Sequence, residues 1–186
     1  LAAPKKEGKN TKEISRSHKV ITSDNGLVTI TGGKWTSYRL MAEDTVDKAI
    51  EVCGLPKRKC VTKKFRIHGY RKNPDLTDHM YVYGSDEPKI LRLIEQEPAL
   101  GEKLSQKFGY TLAEVVWAVR EEMAITLEDV LARRVRMLFV DAREAMAAAP
   151  KAAAVMAREL GRDQAWIDEQ VKSFTDLAKN YIFEQK

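Results

Sequence analysis

Apolar positions along the chain alternate at first and then fall into helical stripes. Residues 18–22 (His-Lys-Val-Ile-Thr) and 27–31 (Leu-Val-Thr-Ile-Thr) are rich in β-branched side chains and predict two strands. Ser23-Asp24-Asn25-Gly26 stands between them, and Asn-Gly is a strong hairpin-turn signal because both residues tolerate positive φ. Gly32-Gly33 ends the second run. A helix is predicted from about Thr36 to Cys53, with Ala42, Val46, Ala49, Ile50 and Cys53 on one face at spacings of three and four. Gly54-Leu55-Pro56 stops it, since glycine closes a helix readily and proline cannot continue one.

From residue 57 to residue 84 the chain is basic and broken by Gly69, Pro74 and Gly84, which reads as a linker with little regular structure beyond an extended Val61–Ile67. Helical patterning resumes at Asp86–Gln96, with Pro88 in the first turn, followed by a short helix over Leu100–Phe108. Thr111-Leu112-Ala113-Glu114 is a capping box, and Leu112, Val115, Val116 and Val119 follow it as a core stripe. Thr126-Leu127-Glu128-Asp129 repeats the theme with a shorter acid, and Leu127, Val130, Leu131 and Leu138 face inward. Asp141–Ala149 is Ala-rich, Pro150 starts a further helix to Leu160, and Gly161 ends it. Asp163 caps a last helix whose buried stripe is Ile167, Val171, Phe174, Ala178 and Tyr181.

The expected fold is therefore mainly α: a strand–turn–strand–helix segment over residues 1–56, a linker over 57–84, and a helical, bundle-like domain over 85–186. Two strands and one helix are too few to bury a sheet face alone, so the first segment reads as a piece of a larger sheet. The second is long enough to hold its own core.

Composition changes this picture little. Hydrophobic residues at 44% and charged residues at 32% of the 186 suit a soluble globular protein. No run approaches the roughly 20 apolar residues of a membrane span. Residues 1–13 read as an exposed segment or a cut end, without the apolar stretch of a secretory signal, and the absence of an initial Met suggests a chain processed, tagged or cut from something longer. The net charge of +5 comes from an excess in the first 72 residues (Lys5, Lys6, Lys9, Lys12, Lys57, Arg58, Lys59, Lys63, Lys64). That distribution suits anionic small molecules or a membrane surface better than nucleic acid, which is not expected as a partner. Cys53 and Cys60 have no His at ligand spacing and form neither a zinc site nor a disulfide framework, so a reducing cytoplasm is the default.

The stretch most suggestive of chemistry is Gly32-Gly33-Lys34-Trp35-Thr36-Ser37-Tyr38-Arg39. It is a strand, a paired-Gly turn and a helix start. Paired glycines let backbone approach a ligand closely, and the free amides and positive end of a helix face an anion well. Lys34 adds a cation there. On the residues alone, a plain tight turn with a solvated lysine is the more ordinary reading.

This stretch, extended from Thr29 to Asp44, closely resembles the C-terminal flavin-contacting motif of FAD-dependent glycerol-3-phosphate dehydrogenases. Residues 114–124 (Glu-Val-Val-Trp-Ala-Val-Arg-Glu-Glu-Met-Ala) and 126–134 (Thr-Leu-Glu-Asp-Val-Leu-Ala-Arg-Arg) resemble the signature of that family's helical C-terminal domain. The resemblance covers most of the chain and implies the C-terminal part of a longer enzyme, since the family's dinucleotide fingerprint, G-x-G-x-x-G, is absent from these residues. It further implies that the first segment is a remnant of the FAD-binding domain. Gly32, Gly33, Lys34, Trp35 and Thr36 would contact FAD, chiefly through backbone amides at the flavin's pyrimidine edge. Arg16 and Lys34 would bind the substrate, Arg16 holding its phosphate. No catalytic residue and no metal site is assigned. The implied reaction oxidises sn-glycerol 3-phosphate to dihydroxyacetone phosphate, with hydride passing to FAD and electrons to a quinone. The fragment alone is expected to be inert and to hold no FAD. Its implied partners are its own N-terminal FAD domain and, through the basic face, a second copy in a homodimer or the inner face of the cytoplasmic membrane, contacted peripherally.

The remaining polar groups read as structural. Glu121-Glu122 and Glu128-Asp129 are expected to be solvated or capping, with Arg133, Arg134 and Arg136 as their partners across helices. His18, His68 and His79 lack metal spacing, and Met137, Met146 and Met156 are helix core. Trp35 is open between packing on the flavin and a core or interface role. Two rivals stand beside the dehydrogenase reading: a glycerophosphate oxidase using oxygen, and a stand-alone helical interaction module with a basic arm.

Overall fold

Strand β1 (His18–Thr22) and strand β2 (Val28–Gly32) pair antiparallel with His18 opposite Gly32, Val20 opposite Ile30 and Thr22 opposite Val28. These residues belong to the computed structural model of the chain, which describes residues 17–183. The hairpin loop closes through Ser23, whose N–H donates to the Leu27 carbonyl at 3.0 Å and whose carbonyl accepts from Gly26 N–H at 2.9 Å, with Gly26 at φ 83°. Leu27 is thereby drawn into the loop and Gly32 into the ladder, one residue later than the β-branched run suggests. His18, Val20, Thr22, Val28 and Ile30 are the half-buried positions of the hairpin, on the alternation a pleated strand imposes.

After a 3-10 turn at Trp35–Ser37, helix α1 (Tyr38–Val52) packs against both strands. Its shaded residues include Met41, Asp44, Thr45, Lys48 and Ala49, whereas Ala42, Val46 and Cys53 of the expected stripe are exposed. The difference has a local cause: Met41 lies under Gly33, and Asp44 is bound to His18, which fixes the helix's rotation on the hairpin. Among the described residues of this unit none is fully buried.

The chain divides into two compact units between Ile67 and His68. Residues 68–84 pack with the helices that follow. Gly84, at φ 52°, sits where any Cβ would strike the Gly69 carbonyl, and Ser85 N–H donates to that carbonyl at 3.3 Å. Asp78 caps a 3-10 segment, His79–Asp86, by accepting from Met80 N–H, and Met80 is buried.

In this second unit α2 (Glu87–Gln96) starts on Pro88 as expected, with Ile90 wholly buried. No helix forms over Leu100–Phe108. A 3-10 turn (Pro98–Gly101) leads into a loop whose amides bond outward: Leu104 N–H to the Tyr110 carbonyl and Leu112 N–H to the Glu102 carbonyl. Burial of Leu100, Leu104 and Ser105, with the Ser105 hydroxyl donating to Glu144, holds the doubled-back course against the helical propensity of the sequence. The Thr111–Glu114 capping box starts α3 (Leu112–Glu121). Leu127, Val130 and Leu131 are buried as the stripe predicts, although Asp129–Arg134 winds as a π-helix that Val135 closes by donating to Val130. Arg136, left-handed at φ 59°, then separates this segment from the short α4 (Met137–Val140).

Helix α5 runs unbroken from Ala142 to Leu160, where Pro150 had suggested two helices. Pro150 faces solvent, so the carbonyl left without its bond meets water, and the flanking alanines keep the helix wound. Ala142, Ala145, Ala148, Ala149, Ala152 and Ala153 form its buried face, against which α3, α4 and α6 (Gln164–Lys179) pack. Phe174 and Ala178 of α6 are buried, but Tyr181 lies beyond the helix end, half exposed, with its ring edge against Phe139. The architecture is thus mainly helical with a small two-stranded antiparallel sheet ahead of the helices.

One polar cluster is enclosed in this unit. The Glu114 side chain is 1% exposed and accepts from Thr111 N–H (2.7 Å), the His79 ring (3.2 Å) and the Tyr83 hydroxyl (3.1 Å). Its carboxylate is the main cause holding the His79 pKa above the ordinary imidazole value, against the opposing pull of burial. Because the folded value is the raised one, the stability this pair adds is complete below the unfolded imidazole value and fades as pH rises through the folded one. His79→Gln should therefore lower the melting temperature most below the unfolded imidazole value of about 6.5 and progressively less as pH rises above it. Thermal melts of wild type and variant on both sides of that value check this, and a pH-independent difference would contradict it.

Candidate functional site

The paired glycines occupy the seam between β2 and α1. Gly32 (φ 78°) is the last paired residue of β2 and Gly33 (φ 81°) follows it, so two consecutive residues hold a conformation that side chains resist. The space confirms the dihedral: a Cβ on Gly33 would stand 2.6 Å from Met41 Sδ and 3.2 Å from His18 Cβ. Lys34 then caps the 3-10 turn with extended backbone (φ −128°, ψ 152°). Its N–H donates to the Ser37 hydroxyl at 3.3 Å, and that hydroxyl donates back to the Lys34 carbonyl at 2.9 Å. Trp35 and Thr36 open the helical run, where the first N–H groups have no preceding carbonyl in reach.

All three side chains after the glycines are exposed. Among the described residues Trp35, at 87% exposure, stacks on Tyr38, with ring centroids 5.7 Å apart, and takes no part in a core. Lys34 thus presents an exposed cation beside an exposed helix start, a donor set fitted to an anionic group. Gly32, Gly33, Lys34, Trp35 and Thr36 are contiguous in space as in sequence. Arg16 lies outside the described residues.

Sequence spacing did not reveal the polar contact behind this turn. His18 Nε2–H donates to Asp44 Oδ2 at 2.6 Å, joining the first residue of β1 to the second turn of α1. The two are far apart in sequence, and only the register that sets His18 opposite Gly32 brings the pair beneath the turn.

Elsewhere the charged groups hold the structure. Arg133 pairs with Glu128 at 2.6 Å and Asp129 at 2.7 Å, and Arg134 with Glu122 at 3.1 Å. Asp129 also accepts from the Ile125 and Thr126 amides, and these bonds, with Arg133, hold its carboxyl below the usual range despite burial, the largest and opposing cause. His68 and His79 bind carboxylates of Asp86 and Glu114. Among the described residues no group of three or more His, Cys, Asp or Glu is placed to hold a metal ion. Lys57, Arg58 and Lys59 share a groove with Asp44, Asp47 and Glu51, so part of the basic run is balanced where it lies.

The groove and the turn do not by themselves name a ligand, but the chain's relatives narrow the field. Residues 32–167 match the family described as the C-terminal domain of alpha-glycerophosphate oxidase. The chain belongs to this family. That match begins at the first glycine of the pair and runs into α6. The chain is also 34% identical, over 94% of its length, to a probable mitochondrial glycerol-3-phosphate dehydrogenase of Caenorhabditis elegans, covering 26% of that protein. A Dictyostelium discoideum protein of the same name is 32% identical, with 94% of this chain and 29% of the relative covered. The mitochondrial glycerol-3-phosphate dehydrogenase of Mesocricetus auratus is 34% identical, with 94% and 26% covered. The chain therefore spans between a quarter and a third of the length of these relatives. Among the described residues no helix is long and apolar enough to cross a membrane.

Gly33→Ala must place a side chain at φ 81° and displace Met41, which should cost about 1–3 kcal/mol of stability. Chemical denaturation of the variant beside wild type measures it, and an unchanged midpoint would show that the turn relaxes freely.

Proposed function

We propose that this chain is the C-terminal part of an FAD-dependent enzyme that oxidises sn-glycerol 3-phosphate to dihydroxyacetone phosphate and passes the electrons to a quinone. The observation that carries the reading is the family match beginning at Gly32, together with an exposed cation and an exposed helix start at that same turn. The flavin, when bound, supplies the hydride acceptor. This chain contributes positive potential: the amides of Gly33, Trp35 and Thr36 and the Lys34 ammonium lie at one edge of the site, where negative charge develops as the acceptor is reduced. Lys34 also faces the substrate, and Arg16 holds its phosphate through a bidentate guanidinium. The helical unit caps the enzyme, and the fragment alone is inert because most of the site belongs to residues outside it.

A second reading has its own support, since the matched family is described by an oxidase. In that reading oxygen replaces the quinone as electron acceptor, and these residues act in the same way. Docking on the inner face of the cytoplasmic membrane, or against a second copy, belongs to the reading as a role for the basic excess, of which Lys63 and Lys64, among the described residues, lie outside the balanced groove.

The test uses the full-length protein with Lys34→Ala and Arg16→Ala. Wild type should be yellow and bleach when glycerol 3-phosphate is added without oxygen. Both variants should keep flavin and bleach at least about tenfold more slowly, the effect of one lost charged contact of about 1.4 kcal/mol in the transition state. Variants matching wild type would remove Lys34 and Arg16 from the site. A wild type without flavin would favour a helical interaction module. Stoichiometric peroxide on readmitting oxygen would favour the oxidase.

A further inference from the structure

The half-buried face of the hairpin carries Val20, Val28 and Ile30 beside Thr22, and its first position is a histidine. A polar ring on such a face costs free energy unless it is partnered. The His18 side chain is only 16% exposed, and its partner is the Asp44 carboxylate at 2.6 Å, an acceptor that makes the bond charge-assisted. A valine would satisfy the strand pattern there without requiring a carboxylate on α1.

The position matters because of what lies across from it. His18 is the register partner of Gly32, and its Cβ would stand 3.2 Å from a Cβ on Gly33. Two consecutive glycines at positive φ have no side chains to hold their own course, so neighbours must set where the Gly33, Trp35 and Thr36 amides point. Three contacts do so. The ladder fixes Gly32, Met41 fills the space under Gly33, and the His18–Asp44 bond ties β1, the ladder partner of the strand carrying the turn, to the helix that follows the turn. Met41 is itself steadied, since the Thr45 hydroxyl donates to its carbonyl at 2.7 Å. The His18–Asp44 bond is a directional side-chain link between the hairpin and α1.

We infer that His18 and Asp44 form a positioning pair for the Gly32–Gly33 turn, setting the aim of its amides and so the stabilisation of negative charge on the bound flavin. This deepens the flavin reading above and rests on it. Neither residue touches substrate or cofactor in this account. Both act through the glycines.

The experiment measures the flavin midpoint potential of the full-length protein by equilibrium reduction with a reference dye, and flavin affinity by fluorescence titration of the flavin-stripped protein. The variants are His18→Ala, His18→Gln, Asp44→Ala, Asp44→Asn and the double alanine. Both alanine variants should lower the potential by about 30 mV, a tenfold weaker preference for reduced over oxidised flavin in a two-electron couple. Affinity for oxidised flavin and KM for glycerol 3-phosphate should stay within about threefold of wild type. The double variant should fall no further than either single one, because the two side chains act as one contact. His18→Gln, whose amide reaches the position of Nε2, should recover most of the loss, which a role in packing alone would not produce. Should an alanine variant fail to fold, His18→Gln near the wild-type potential and Asp44→Asn below it carry the same support. Wild-type potentials in all folded variants, additive losses, or a Gln variant as low as Ala would overturn the pair's role. A wild type that binds no flavin would overturn the functional reading first and this inference with it, so the two failures are distinguishable.

Discussion

A helix whose buried face is almost all alanine can be approached closely by several neighbours at once, and the helical unit is organised around that constraint. Helix α5 presents alanine toward α3, α4 and α6, with Met156 the large side chain on the same face. Small side chains let backbones come toward the short end of the usual 8–10 Å helix separation, and larger residues on the facing helices fill the remaining space. Val115, Val116, Leu138 and Phe174 belong to that complementary set. Enlarging any of the buried alanines would force these groups off their rotamers together, so the central helix tolerates change least where its side chains are smallest.

The first unit obeys the opposite constraint. None of its described residues is fully buried, and Trp35, Tyr38, Leu40 and Val46 are exposed on the 3-10 turn and α1. A hairpin and one helix cannot enclose a core, so local polar contacts and backbone geometry must position what matters there. The Gly32–Gly33 turn is held by ladder, thioether and the His18–Asp44 bond rather than by burial. The helical unit, by contrast, has a core of its own.

Much of this was legible in the sequence because local signals and tertiary packing agree. The Asn25-Gly26 turn, the Thr111–Glu114 box, the Asp163 cap and the stripe Leu127, Val130 and Leu131 all declare themselves within a few residues. What was illegible depended on distant partners. The course of Leu100–Phe108 follows amides that bond to Glu102 and Tyr110 carbonyls and a Ser105 bonded to Glu144. Pro150 lies within a helix because its ring faces solvent, which the local pattern does not state. The rotation of α1 depends on Met41 and Asp44 meeting the hairpin. At the candidate site the glycines and Lys34 were visible as a motif, whereas the His18–Asp44 contact required the strand register.

The proposed function requires the backbone following the paired glycines to meet the flavin. Hydrogen–deuterium exchange on the full-length protein, with flavin bound and after its removal, tests this at the amides themselves. The account predicts that flavin slows exchange in a peptide spanning Gly33–Thr36 by at least about tenfold, an opening cost of about 1.4 kcal/mol, while α5 is unaffected. Equal exchange across Gly33–Thr36 in the two states, with protection appearing elsewhere, would contradict it.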